Sequence, residues 1–269
     1  MKQIRLRELA TVIAGDSPRD GIIALQNESR PGQWLNAASQ LIAWYDSKGE
    51  SQATVFQKGN AKLPFWSFST LPVATCPGAG DCVAYCYSFK SWCHPFAYTR
   101  QARLTVALGT DWGRAWIARE FAKLPVGATV RLYVDGDIDS LATLNYWSGL
   151  VSTRPDLKVY GYTKSLHIVR AYLEAGGIIP RNWLLNLSSG HRFDAETEQA
   201  VLAFDSLRGT FTAIDMPREH TKADLAAAGR ERFGRAVFVC PGACGSCTLK
   251  GHACGSERFR KVPIVIATH

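Results

Sequence analysis

Thr129-Val-Arg-Leu-Tyr-Val-Asp-Gly-Asp137, Leu157-Lys-Val-Tyr-Gly-Tyr-Thr-Lys-Ser165 and Trp183-Leu-Leu-Asn-Leu-Ser-Ser-Gly-His191 share one pattern: a short apolar run that ends in polar residues. Each is followed by apolar positions at helical spacing: Leu141, Leu144, Trp147, Leu150 and Val151, then Leu166, Val169 and Leu173, then Val201, Leu202 and Phe204. Two further runs, Thr210 to Ile214 and Ala236 to Val239, continue the pattern, and Thr221-x-x-Asp224 reads as a capping box between them. The run ends Val134, Tyr162, Leu187, Ile214 and Val239 are 28, 25, 27 and 25 residues apart, about one β-α unit each. Strands alternating with helices imply parallel pairing through right-handed crossovers. With Leu63 to Thr70 added, about six strands are expected. The fold class is therefore α/β, a partial or complete parallel barrel, with an open parallel sheet as the alternative.

Working outward, residues 1–60 lack this rhythm and read as a small N-terminal appendage, with a helix carrying Trp34, Leu35, Leu41, Ile42 and Tyr45. Residues 61–269 read as the barrel-like domain. A strongly apolar helical face at Trp112, Trp116, Ile117 and Phe121 is explained by core packing. No run approaches the roughly 20 apolar residues of a membrane span, and the opening Met-Lys-Gln-Ile-Arg-Leu-Arg has no leader-like apolar segment. A cytoplasmic location and no membrane partner are expected.

In a reducing cytosol, eight cysteines in two tight groups read as metal ligands rather than disulfides. The first group is Cys76, Cys82, Cys86 and Cys93, opening Cys-Pro-Gly-Ala-Gly, with Tyr87, Phe89 and Trp92 interleaved. The second is Cys240, Cys244, Cys247 and Cys254, opening with the same Cys-Pro-Gly-Ala. Iron–sulfur is the first reading, as one or two 4Fe–4S clusters, and zinc is the alternative, because the second group with His252 nearby can form a zinc knuckle. The spacing Cys240-x3-Cys244-x2-Cys247 equals the signature of radical S-adenosylmethionine enzymes, but it follows the last strand rather than the first, and Cys254 is available to close the site. In the first group Phe89 stands where that signature needs a third cysteine.

From about residue 62 to residue 254 the chain resembles the phage-associated gene product 88 family. The resemblance is carried by Lys62-Leu-Pro64, Leu71-Pro72 leading into Thr75-Cys-Pro-Gly-Ala79, Val134-Asp-Gly-Asp137, Gly161-Tyr-Thr-Lys-Ser165 and the late cysteine cluster. It implies mobile-element origin and metal binding.

Ligands collect at the carboxyl ends of parallel strands. Candidate catalytic residues there are Asp135, Asp137, Lys164 and Asp215; the plainer reading of Asp137, Asp139 or Ser140 is a helix cap. Ser188-Ser-Gly-His191 reads as ordinary loop chemistry. The net charge of +8 falls to roughly +4 if two four-iron clusters are bound, so basicity alone says little about nucleic acid. Arg258-Phe-Arg-Lys261 could contact phosphates, and its plainer role is to support the second cysteine group. Three kinds of partner are expected: nucleic acid, a host protein, or a redox partner. The functional readings are an iron–sulfur redox protein, a radical S-adenosylmethionine-like enzyme with an open cluster, or a zinc- or cluster-stapled binding protein.

Overall fold

The computed structural model describes residues 3–15, 17, 20–24, 33–47, 54–84, 86–248 and 252–268. Eight strands form one sheet: β1 (Gln57–Lys58), β2 (Trp66–Ser67), β3 (Thr129–Leu132), β4 (Lys158–Thr163), β5 (Trp183–Ser188), β6 (Gly209–Ile214), β7 (Phe238–Val239) and β8 (Ile264–Ala267). Their order is β1-β2-β3-β4-β5-β6-β8-β7. Only the β1–β2 pair is antiparallel. At the level of fold class the expectation holds, as a mixed α/β protein with a mostly parallel sheet. The sheet is larger than the six strands expected. The addition that matters is β8, which inserts between β6 and β7.

The helices are α1 (Gln3–Ile13), α2 (Gln33–Asp46), α3 (Pro95–Leu108), α4 (Asp111–Ala122), α5 (Leu141–Ser152), α6 (Leu166–Glu174), α7 (Ala195–Leu202), α8 (Lys222–Phe233) and the short α9 (Cys244–Thr248). Local sequence explains where several start and stop. Ser140, not Asp137, caps α5 by accepting from the Thr143 N–H. Thr221 and Asp224 form the expected capping box of α8, which Gly234 ends in the left-handed conformation at φ 62°.

Strand side chains alternate between two faces. Val130, Leu132, Val159, Trp183, Leu185 and Leu187 enter the large core with Trp116, Phe121, Trp147 and Val169 from the helices, and Leu9, Ile13, Leu41 and Trp44 of α1 and α2 share that core. Val265 and Ala267 meet Leu225 of α8 on the same side. The alternate positions, Phe65, Tyr160, Leu184 and Ile264, pack instead against Cys247, Ala253 and Cys254, with Tyr162, Phe211, Phe238, Cys240 and Cys244 around them. Helices thus cover one face of the sheet, and the second cysteine segment covers the other.

Candidate metal centre

The first cysteine group lies where the strand pattern places it, at the carboxyl ends of β3, β4 and β5. Its opening loop crosses the ends of β4 and β5. Gly80 N–H donates to Gly190 O at 3.0 Å, Arg192 N–H donates to Gly78 O at 3.1 Å, and Ala79 bridges His191. A Cβ on Gly78 would stand 1.8 Å from Lys164 O, so the glycine is what allows this approach. Thr75 ties the loop down: its hydroxyl lies 2.9 Å from Thr70 Oγ1 and donates to Leu71 O at 2.8 Å.

Cys76, Cys82 and Cys86 surround Asp137 and Lys164. Burial pushes the Cys76 thiol well up, Asp137 and Cys86 add to this, and Lys164 opposes it. Cys82 is raised by burial with the same Lys164, Cys86 and Asp137 around it. Asp137 accepts the Lys164 N–H at 2.7 Å and the Ile138 N–H at 2.7 Å. Burial still raises it above the usual carboxylate range. Lys164 Nζ donates to Ser188 Oγ at 3.0 Å. Cys93 ends a 3-10 helix, Tyr87–Cys93; its side chain lies outside the described residues.

The other candidate carboxylates separate. Asp135 turns away from Asp137, accepting from Ser88 Oγ and, at 3.1 Å, from Gln101 Nε2. The two therefore do not form a paired dyad. Asp215, the residue after β6, is exposed and accepts from Thr268 Oγ1 at 2.9 Å. His191 Nε2 lies 3.5 Å from Glu198, not against Ser188 or Ser189.

The second group starts at the carboxyl end of β7, which Cys240 directly follows, and packs on one face of the sheet. Its four cysteines, none of them in a disulfide, pack with Phe65, Tyr160, Leu184 and Ile264. Tyr160 Oη is 3.9 Å from Cys244 Sγ, and Asn186 Nδ2 donates to Cys254 O at 3.1 Å. Cys240 is raised by burial, with Cys247 and Cys244 close enough to add to it. Cys254 is pushed up to about 12, mainly by burial, with Cys240 and Cys247 nearby. Cys240 N–H bonds Val265 O at 2.8 Å, so β8 seats the segment. Phe65, Tyr160 and His252 form an aromatic wall, with centroids 4.5 Å apart for His252–Phe65 and for His252–Tyr160. Burial lowers His252 to about 4, and its Nε2 has no hydrogen-bond partner. Among the described residues no three His, Cys, Asp or Glu side chains are so disposed that they could hold a single metal ion.

Two cations at this site were not foreseen. Arg208 is fully buried, and its guanidinium donates to Phe259 O at 2.7 Å, Val262 O at 2.8 Å, Thr210 O at 3.1 Å and Asn186 Oδ1. Burial lowers it to about 10, and Cys254 is the first group to oppose that. Arg131 lies over the Tyr162 ring at 5.0 Å with its Nε buried and unpartnered. Burial works against its charge, but Tyr87, Tyr162, Tyr160 and Cys244 more than offset this and hold it above the ordinary arginine value. Neither arginine forms an ion pair with a carboxylate among the described residues. The signal was present: strands of a parallel sheet are covered on both faces, so Arg131 between Val130 and Leu132 had to face something polar.

The basic segment 258–261 is engaged internally. Arg260 pairs with Glu257 and bonds Asp205 O, Lys261 Nζ bonds Leu202 O and Phe204 O, and Phe259 packs on Phe238. No described helix is long and apolar enough to cross a membrane.

A family model described as gene product 88 matches residues 41–259. No curated protein and no solved structure matches the chain.

Proposed function

The chain belongs to the phage-associated gene product 88 family, and on that premise we propose that it is a two-centre iron–sulfur protein with an electron-transfer role. The observation that carries this is the pair of cations, Arg208 and Arg131, turned toward the second cysteine group without a carboxylate partner. A buried charge needs an opposite charge, and the thiolates of a four-cysteine metal centre supply one. Protonated thiols do not.

The reading takes a multi-iron core as the first choice and zinc as the alternative. A single zinc ion at about 2.3 Å from each sulfur draws four sulfurs to about 3.8 Å of one another. The second group gathers four cysteines within electrostatic reach of one another, the number of thiolates that a four-iron core takes. Because Cys254 stands with Cys240 and Cys247, four thiolates are on hand to close the site, which favours electron transfer over chemistry at an open iron. When bound, a four-iron core accepts and releases one electron at a time. The chain's own residues do the rest: Phe65, Tyr160, Tyr162 and His252 exclude water, Arg208 and Arg131 balance charge, and Asn186 fixes the Cys254 backbone. At the first group, Lys164 plays the corresponding cationic part. We read the sheet as a barrel-like wrap around the second segment.

The test is anaerobic purification followed by visible absorption, with iron, acid-labile sulfide and zinc measured per chain. About eight iron and eight sulfide are expected. A colourless protein with stoichiometric zinc overturns the reading.

A further inference from the structure

Parallel sheets are covered on both faces, and one strip of this sheet is not. On the face away from the helices, Tyr160, Leu184 and Ile264 pack against the second cysteine segment and are buried. Five side chains of the same face, Arg131, Tyr162, Lys164, Ser188 and Phe211, stay only half-buried. The strip runs toward the carboxyl ends of the strands, where ligands of parallel α/β folds collect.

Two cations stand in it. Arg131 is opposite Tyr160 in register, and its guanidinium lies 5.0 Å from the centre of the Tyr162 ring. Lys164 Nζ donates to Ser188 Oγ at 3.0 Å. Because Tyr162 pairs with Asn186, Ser188 is one strand over and two residues along from Tyr162, about 8 Å away. An oxyanion held on both sides by charge-assisted hydrogen bonds of about 2.8 Å spans a gap of that order. Among the described residues neither cation has a carboxylate within ion-pair distance. Asp137 is near Lys164, but its carboxylate accepts the backbone N–H groups of Lys164 and Ile138. Cys244 acts on the Arg131 charge through space, and Arg131 Nε has no hydrogen-bond partner. Arg208 differs: it is fully buried and its guanidinium is taken up by protein oxygens.

We propose that this strip binds a phosphate monoester, with the phosphate held between the Arg131 guanidinium and the Lys164 ammonium beside the Ser188 hydroxyl. The inference goes beyond the metal reading and does not depend on what the cysteines hold. A phosphate monoester carries about −1.5 to −2 charge at pH 7, which two cations without carboxylate partners match and a single carboxylate would not. The planar fork of arginine suits its oxygens. Phe211, with its ring centroid 4.9 Å from that of Tyr162, gives the esterified group an apolar wall.

The experiment is isothermal titration of the full chain, as purified and at fixed salt, with inorganic phosphate, adenosine monophosphate and adenosine. Wild type is compared with Arg131→Gln, Arg131→Lys, Lys164→Met and, as a control, Arg230→Gln, an exposed arginine of α8 on the opposite side of the sheet. Phosphate and the monophosphate are expected to bind and adenosine is not. Arg131→Gln and Lys164→Met should each weaken binding by roughly tenfold or more, Arg131→Lys by less, and Arg230→Gln not at all. The proposal is overturned by no binding at millimolar concentration, by phosphate binding without the monophosphate, or by affinities that the two strip variants leave unchanged. Equal weakening in Arg230→Gln overturns it too, since that marks a general basic surface. Should a strip variant fail to fold by circular dichroism, Ser188→Ala decides: weaker binding supports the site, and wild-type affinity refutes it.

Discussion

Replacing Arg208 with Met should cost the metal-loaded protein more than the metal-free protein. Burial lowers the Arg208 guanidinium from 12.5 to about 10, which at 1.36 kcal/mol per tenfold is about 3 kcal/mol against holding it charged in the metal-free protein. Methionine removes that cost. It also leaves the carbonyls of Phe259, Val262 and Thr210 without this donor, at about 1–3 kcal/mol each. The two effects oppose each other, and metal-free Arg208→Met should lose about 0–6 kcal/mol. In the loaded protein an anionic core beside Cys254 has already offset the burial cost, so the same substitution loses about 3 kcal/mol more. The difference is worth about a hundredfold in retention of the core. Denaturant unfolding of metal-free and reconstituted samples of both proteins, with iron retention under a competing chelator, measures it. Equal losses in the two states would refute the view that Arg208 answers a negative charge at the second group.

Gly78→Ala should empty the first group while leaving the second loaded, because its Cβ would collide with Lys164 O; iron content near half of wild type, with both groups still folded by circular dichroism, is the expected result. His252 is lowered to about 4 by burial, with Arg131 and Lys158 adding to it. The unfolded chain therefore takes up a proton near 6.5 that the folded one refuses, so stability of the metal-free protein falls as pH drops from about 6.5 to 4, by about 2–3 kcal/mol. That part of the slope should vanish in His252→Phe, as measured by urea unfolding at pH 7, 5.5 and 4.5. Thr221→Ala breaks the α8 capping box and should cost about 1 kcal/mol without altering metal content, since α8 packs on the face of the sheet opposite the cysteines.

What could be read in advance followed from residue alternation and spacing. Trp183 to Leu187 and Thr210 to Ile214 announced themselves as strands because a parallel strand buried on both faces is a continuous apolar run. The loop at Cys76 was placed at the strand ends for the same reason. Ile264-Val-Ile-Ala267 is an equally apolar run. Only four residues long and directly behind a basic stretch, it is not among the six strands that the spacing predicts. Missing it hid the position of the second group, since β8 fixes Cys240 through the Val265 carbonyl. Arg208 was invisible because its partners, Phe259 and Val262, are more than fifty residues away. Asp135 and Asp137 looked like a pair because their spacing is that of a dyad, yet the turn at Tyr133, with φ 57°, and Gly136, with φ 79°, send them in opposite directions.

The insertion of β8 between β6 and β7 also dictates an order of events during synthesis. A nascent chain that has passed Cys254 but not Ala267 already carries all eight cysteines. It still lacks the strand that pairs with β7 and holds Cys240. On the proposed two-centre reading, the second site is completed only once β8 is in place, so the earlier centre is expected to mature first.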